Sequence, residues 1–160
     1  MVLWPFEFKR KKGDIPNWDS QVRRRWAQTI GDVKERIKFV PRLSPENFIA
    51  LQSVADVILD TPHFSGGNTT YEALTIGKPI VTLDSAFMRG RVTAGIYRIM
   101  EIEDCTAQSL VDYSHIALKL GKNLDYRRSI ETKIRERNEG LFERQEVVES
   151  VVEFATRVTT

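Results

Sequence analysis

The stretch from Ala55 to Leu83, ADVILDTPHFSGGNTTYEALTIGKPIVTL, limits what this chain can fold into more than any other part of it. Val57 to Leu59 is a short apolar run that stops at Asp60, Thr61 and Pro62, the pattern of a buried parallel strand ending at a functional edge. Ser65, Gly66 and Gly67 let the backbone turn and approach a ligand closely. Asn68 or Thr69 is suited to cap a helix that runs to about Ile76. Gly77 ends that helix, and Pro79, which cannot continue it, opens a second strand from Ile80 to Leu83.

A helix start at the carboxyl edge of a parallel sheet gathers unpaired N–H groups and the positive end of the macrodipole, which suits a phosphate. On spacing alone, Gly66-Gly67 is explained equally well as a tight βα turn, because a lone glycine loop is a weak signal. Glu72 favours the functional reading. It stands three to four residues beyond Asn68 and Thr69 on the same helix face, where a carboxylate can accept hydrogen bonds from ribose hydroxyls beside the phosphates.

The rest of the chain extends the same alternation. Val2 to Phe8 reads as a strand in which Pro5 argues for an edge or a bulge, and Lys9 to Lys12 is a charged loop. Asn17 or Asp19 caps a helix to about Ile30, with Val22, Trp26 and Ile30 on one face and Arg23, Arg24 and Arg25 outward. Ile37 to Val40 is a strand, and Ser44-Pro45 opens a helix carrying Phe48, Ile49, Leu51 and Val54. Beyond the central unit, a helix from about Arg89 to Met100 presents Val92, Ile96 and Ile99, and a last short strand falls within Glu101 to Ala107. Ser109 caps a helix through Leu120 with Leu110, Tyr113, Ile116, Ala117 and Leu120 inward. Two more helices follow, Leu124 to Asn138, highly charged, and Glu143 to Arg157, with Val147, Val148, Val151, Val152 and Phe154 on it. This βαβα order predicts a Rossmann-like α/β fold, an open and mostly parallel sheet of four or five strands with helices on both faces. Ligands in such sheets bind at the carboxyl ends of the strands, where the glycine loop lies.

With 160 residues, 41% of them hydrophobic, the chain can bury one good core and reads as a single domain over 1–160, its terminal helices beginning at about 124. Its 24 basic and 22 acidic residues nearly cancel, which gives no reason to expect nucleic acid. Cys105 stands alone, so neither an internal disulfide nor a cysteine-based zinc cluster is expected, and a reducing, cytoplasmic setting fits. No stretch approaches the roughly 18 apolar residues of a membrane span. Only Asp60 and Glu72 flank the loop, so no metal site is expected there.

At the loop the sequence becomes recognisable. Asp60 to Leu74, DTPHFSGGNTTYEAL, with Gly77 to Leu83, closely resembles the nucleotide-sugar-binding segment of the O-linked N-acetylglucosamine transferase and SPINDLY-like glycosyltransferases. Arg89 to Gly95, Ile116 to Gly121 and the helical tail look like the rest of that family's carboxyl-terminal catalytic subdomain. The resemblance implies one half of a GT-B fold, with the amino-terminal half, and the helical repeats that can precede it, outside this chain. It implies an inverting, metal-independent glycosyltransferase that takes a nucleotide diphosphate sugar, most simply a UDP-sugar, as donor, and a protein or glycan as acceptor, with no other cofactor. The donor site it implies comprises Leu43, Phe48, Gly66, Gly67, Asn68, Thr69, Thr70, Glu72 and Arg91. Phe48 reads either as a core aromatic or as a ring stacked on the base, and Arg91 either as an exposed charge or as a ligand partner. The family's lysine position falls at Pro45, a departure that removes one phosphate contact.

No catalytic residue emerges from the sequence. His63 precedes the loop and is by residue type a candidate general acid or base, but the matching family position is apolar. The rival reading from another class is a non-catalytic nucleotide-sensing or protein-interaction module on the same fold. The apolar residues of the last helix further predict self-association of the isolated chain.

Overall fold

The computed structural model describes residues 2–3, 18–29 and 36–159. Read from the sequence as one domain, the chain groups into two compact units, Met1–Phe48 and Ile49–Thr160. Residues 4 to 17 and 30 to 35, which include Pro5, the basic loop, the capping Asn17 and Ile30, lie outside the described residues.

In the first unit, β1 (Val2–Leu3) pairs in parallel with β2 (Lys38–Phe39). Helix α1 (Trp18–Thr29) exposes Arg23, Arg24 and Arg25 as its spacing predicts. Its Trp26 stacks on Phe39 with ring centroids 6.0 Å apart, and the Arg23 guanidinium lies over the same Phe39 ring at 4.3 Å. Helix α2 (Pro45–Val54) begins as expected, the Ser44 hydroxyl accepting from Asn47 N–H at 3.3 Å. The unit boundary falls within it.

The second unit holds a parallel sheet in the order β3-β4-β5, made of β3 (Ile58–Leu59), β4 (Ile80–Leu83) and β5 (Thr106–Ala107). Val57 to Leu59 reads in sequence as a buried strand, yet β3 is at the edge of this sheet and Leu59 is 44% exposed. The central strand β4 is the buried one. Helices α3 (Asn68–Thr75), α4 (Val92–Ile99) and α5 (Leu110–Lys122) pack on β4, and α6 (Leu124–Arg137) packs on α3 and α5. Leu74, Ile80, Val81, Ile96, Tyr97, Ile102, Leu120 and Ile134 form the core. Each fully buried Leu or Ile among them contributes about 1.5–3 kcal/mol.

Several local expectations shift. The helix predicted from Arg89 divides into a 3₁₀ turn, Met88–Gly90, and α4; Gly90 lies against the Ser85 side chain and the Pro62 carbonyl, where a Cβ would come within 2.9 Å of either. On α4 it is Tyr97, not Ile99, that enters the core. Its hydroxyl accepts from Ile80 N–H at 2.9 Å, satisfying the first amide of β4. Leu110, predicted inward, is the first residue of α5 and stays exposed, while Ser109 caps that helix by accepting from Asp112 N–H at 3.1 Å. The last helix, α7 (Gln145–Thr159), buries none of its residues.

Candidate donor-binding site

Asp60 closes β3 with its side chain turned inward and only 8% exposed. Its carboxylate accepts the Ser65 hydroxyl at 2.5 Å, the Gly66 amide at 2.8 Å and the Thr82 hydroxyl at 2.8 Å. Its backbone carbonyl takes the Tyr113 hydroxyl of α5 at 2.7 Å. Partial burial pushes the Tyr113 phenol up to about 12, with the negative Asp60 as the lesser cause. Ser65 also receives Thr93 N–H at 3.0 Å, and its own N–H donates to the Arg89 carbonyl at 2.7 Å. The glycine loop is thereby tied to β3, β4, the 3₁₀ turn and α4.

Helix α3 then starts without a side-chain cap. Sequence offers Asn68 or Thr69 for that task, but the N-cap is Gly67, whose carbonyl accepts Thr70 N–H at 2.9 Å and Tyr71 N–H at 3.4 Å. Asn68 and Thr69 therefore belong to the first turn, exposed, and their side chains are released from capping. Among the described residues, the amides of Gly67, Asn68 and Thr69 meet no acceptor, as the first turn of a helix requires. Gly66 differs: its amide is occupied by Asp60, and a Cβ there would stand 2.6 Å from the Thr70 hydroxyl and 2.9 Å from that of Thr69. A Cβ on Gly67 would meet nothing within 4 Å.

The other predicted residues are placed as follows. Glu72 lies on α3 one turn beyond Asn68, half-buried, and its carboxylate has no hydrogen-bond or ion-pair partner among the described residues. Thr70 is buried, with its hydroxyl 3.1 Å from that of Thr93. Arg91 is exposed at the N-cap position of α4. Leu43 and Phe48, both half-buried, belong to the first unit. His63 is exposed in the loop and takes no part in the hydroxyl network. Cys105 is fully buried, and burial pushes its thiol up to about 12, so it is held as an unreactive thiol. Among the described residues, no group of three or more His, Cys, Asp and Glu side chains is gathered as a metal site, and no helix is long and apolar enough to cross a membrane.

Sequence reasoning missed Asp60, Ser65, Thr82 and Thr93 as a connected set. One signal for it was available: Thr82 stands in the otherwise aliphatic strand Ile80-Val81-Thr82-Leu83, and a hydroxyl in a buried strand requires a partner.

A parallel sheet that delivers a glycine loop and an open helix start to its carboxyl edge defines the Rossmann-like class of ligand-binding units. Comparison narrows the class. The model of Glycosyl transferase family 41 matches residues 2–151, and the chain belongs to that family. It is 26% identical over 133 residues to the UDP-N-acetylglucosamine--peptide N-acetylglucosaminyltransferase of Caenorhabditis elegans, a match covering 83% of this chain and 11% of that protein. It also superimposes on a solved O-GlcNAc transferase variant of Thermobaculum terrenum with a TM-score of 0.74 and 29% identity, covering 86% of this chain and 27% of that one. The fold is thus one half of the GT-B architecture, and the chain spans only a small part of the length of these relatives.

Proposed function

We propose that this chain is the donor-binding half of an inverting, metal-independent glycosyltransferase of the protein O-glycosylating type, and that its ligand is a nucleoside diphosphate sugar, most simply a UDP-sugar. One observation carries the reading: the amides of Gly67, Asn68 and Thr69 stand open at the start of α3 while Glu72, one turn on, has no partner. The amides and the helix dipole supply positive potential for a diphosphate. Glu72 supplies an acceptor for ribose hydroxyls. The family membership and the two relatives, both named as transferases of N-acetylglucosamine, support the same donor class.

In this reading the chain's chemical task is to hold and neutralise the leaving diphosphate, charge that grows as the glycosidic bond breaks. The acceptor and the groups around the reacting carbon come from the remainder of the full-length enzyme, and the isolated chain does not transfer sugar. Titration calorimetry with UDP tests the assignment. Glu72→Ala removes a charged hydrogen bond worth about 1.5–3 kcal/mol, a loss in affinity of roughly tenfold to hundredfold. Unchanged affinity in that variant, or binding that requires added magnesium, contradicts the reading.

A further inference from the structure

We propose that Asp60 is the positioning residue of this site: its buried carboxylate fixes the direction of a hydroxyl chain and locks the glycine loop so that the open amides begin at Gly67. The proposal rests on the donor-binding reading above for its functional consequence, and on geometry alone for the lock. Oδ2 of Asp60 accepts Ser65 Oγ and Thr82 Oγ1, and Oδ1 accepts Gly66 N–H. Ser65 has a single hydroxyl proton and commits it to Asp60. Its two further contacts, Thr93 N at 3.0 Å and Thr93 Oγ1 at 2.8 Å, are therefore bonds that it accepts. Thr93 has then committed its own proton, and the Thr70 hydroxyl, 3.1 Å from it, is the donor of that pair. The protons run one way, from Thr70 through Thr93 and Ser65 to Asp60.

Two consequences bear on the ligand. The Thr70 proton is turned into the protein, which leaves Thr69 as the threonine whose hydroxyl is free to donate to a bound anion. The Gly66 amide is withdrawn from the ligand and used as the hinge pin of the loop. Apolar packing holds elements together without regard to the direction of an N–H group. A carboxylate with two acceptor oxygens does fix that direction, and this one, at the end of β3, bonds the loop and β4 directly and reaches α4 and then α3 through Ser65 and Thr93.

Alanine at this position removes both acceptor oxygens, so the Gly66 N–H and the Ser65 and Thr82 hydroxyls lose their shared partner. In Asp60→Ala we expect the Gly66 amide resonance to move and its hydrogen-exchange protection to drop at least tenfold, with the remainder of the amide spectrum still that of the folded chain. UDP affinity should drop at least tenfold in parallel. Ser65→Ala cuts the chain between Asp60 and Thr93 while sparing the carboxylate, and should also weaken UDP binding. Asp60→Ala with wild-type Gly66 protection overturns the lock, and Asp60→Ala with wild-type UDP affinity overturns its role at the site. If Asp60→Ala does not fold, the Ser65→Ala titration decides, and unchanged affinity there overturns the proposal. If the wild-type chain itself fails to bind UDP while Gly66 protection is lost in Asp60→Ala, the donor-binding reading falls and the lock stands.

Discussion

Gly66 and Gly67 are neighbours with opposite tolerances. Added bulk on Gly66 meets the Thr69 and Thr70 hydroxyls, and its amide must keep its bond to Asp60, whereas Gly67 faces open space. Gly66→Ala should cost about 1–3 kcal/mol of stability through overpacking. Gly67→Ala should cost no more than about 1 kcal/mol, the loss of a favourable N-cap residue. Denaturant unfolding of the two variants checks the contrast. The doublet was legible in the sequence as a place of close approach, but the division of labour inside it was not, because it depends on Asp60, six residues upstream, and on two hydroxyls brought in by the start of α3. Thr93 was equally out of reach. It meets Ser65 only through the folded path of β4 and the 3₁₀ turn, and no local pattern connects residues 28 apart.

At the scale of elements, local chemistry predicted ends well and partners poorly. Ser109 was read as a cap and is one, so Ser109→Ala should cost about 1 kcal/mol in thermal or denaturant unfolding. Gly77 was read as a helix stop, and its φ of 77° is the left-handed conformation that such a stop uses. Tyr97 was missed, because a period of apolar residues on α4 fits Val92, Ile96 and Ile99 as readily, and the choice is made by the unpaired amide of Ile80 on the neighbouring strand. Tyr97→Phe leaves that buried N–H without its acceptor and should destabilise the chain by about 1–3 kcal/mol. Phenylalanine fills the same space, so a loss near zero in equilibrium unfolding would show that the hydroxyl is not the attachment. Arg127 lies on the helix that the sequence marks only as highly charged. It caps α5, donating to the Leu120 carbonyl at 2.9 Å, and pairs with Asp56 at 2.8 Å.

For the molecule as a whole, two expectations concern solution behaviour. The α7 residues Val147, Val148, Val151, Val152, Phe154 and Val158 are each more than half exposed. The isolated chain should therefore self-associate, and sedimentation velocity at rising concentration should show a growing sedimentation coefficient; a strictly monomeric species contradicts this. The second concerns alkali. Cys105 and Tyr113 are both pushed up to about 12 by burial, from ordinary values of 9.0 and 10.0, so the folded state holds these protons more tightly than the unfolded one. Stability on their account is level below about pH 9 and falls as pH rises toward about 12. Urea midpoints measured across that range should decline in the wild type and decline less in Cys105→Ala. The parallel α/β class and the carboxyl-edge position of the glycine loop were visible from the alternation of elements alone. The grouping into two units was not, since periodicity reports each element's own faces and says little about which strands share a sheet.

The central claim, that a diphosphate seats on the open amides of α3, is tested most directly by titrating UDP into the isotopically labelled chain and following backbone amide resonances without added metal. The account predicts that the largest, saturable shifts fall on Gly67, Asn68 and Thr69, that Glu72 moves with them, and that the carboxylate-bound Gly66 amide moves less. Saturable shifts centred elsewhere, or no shifts at UDP concentrations that saturate other nucleotide-binding domains, would contradict it.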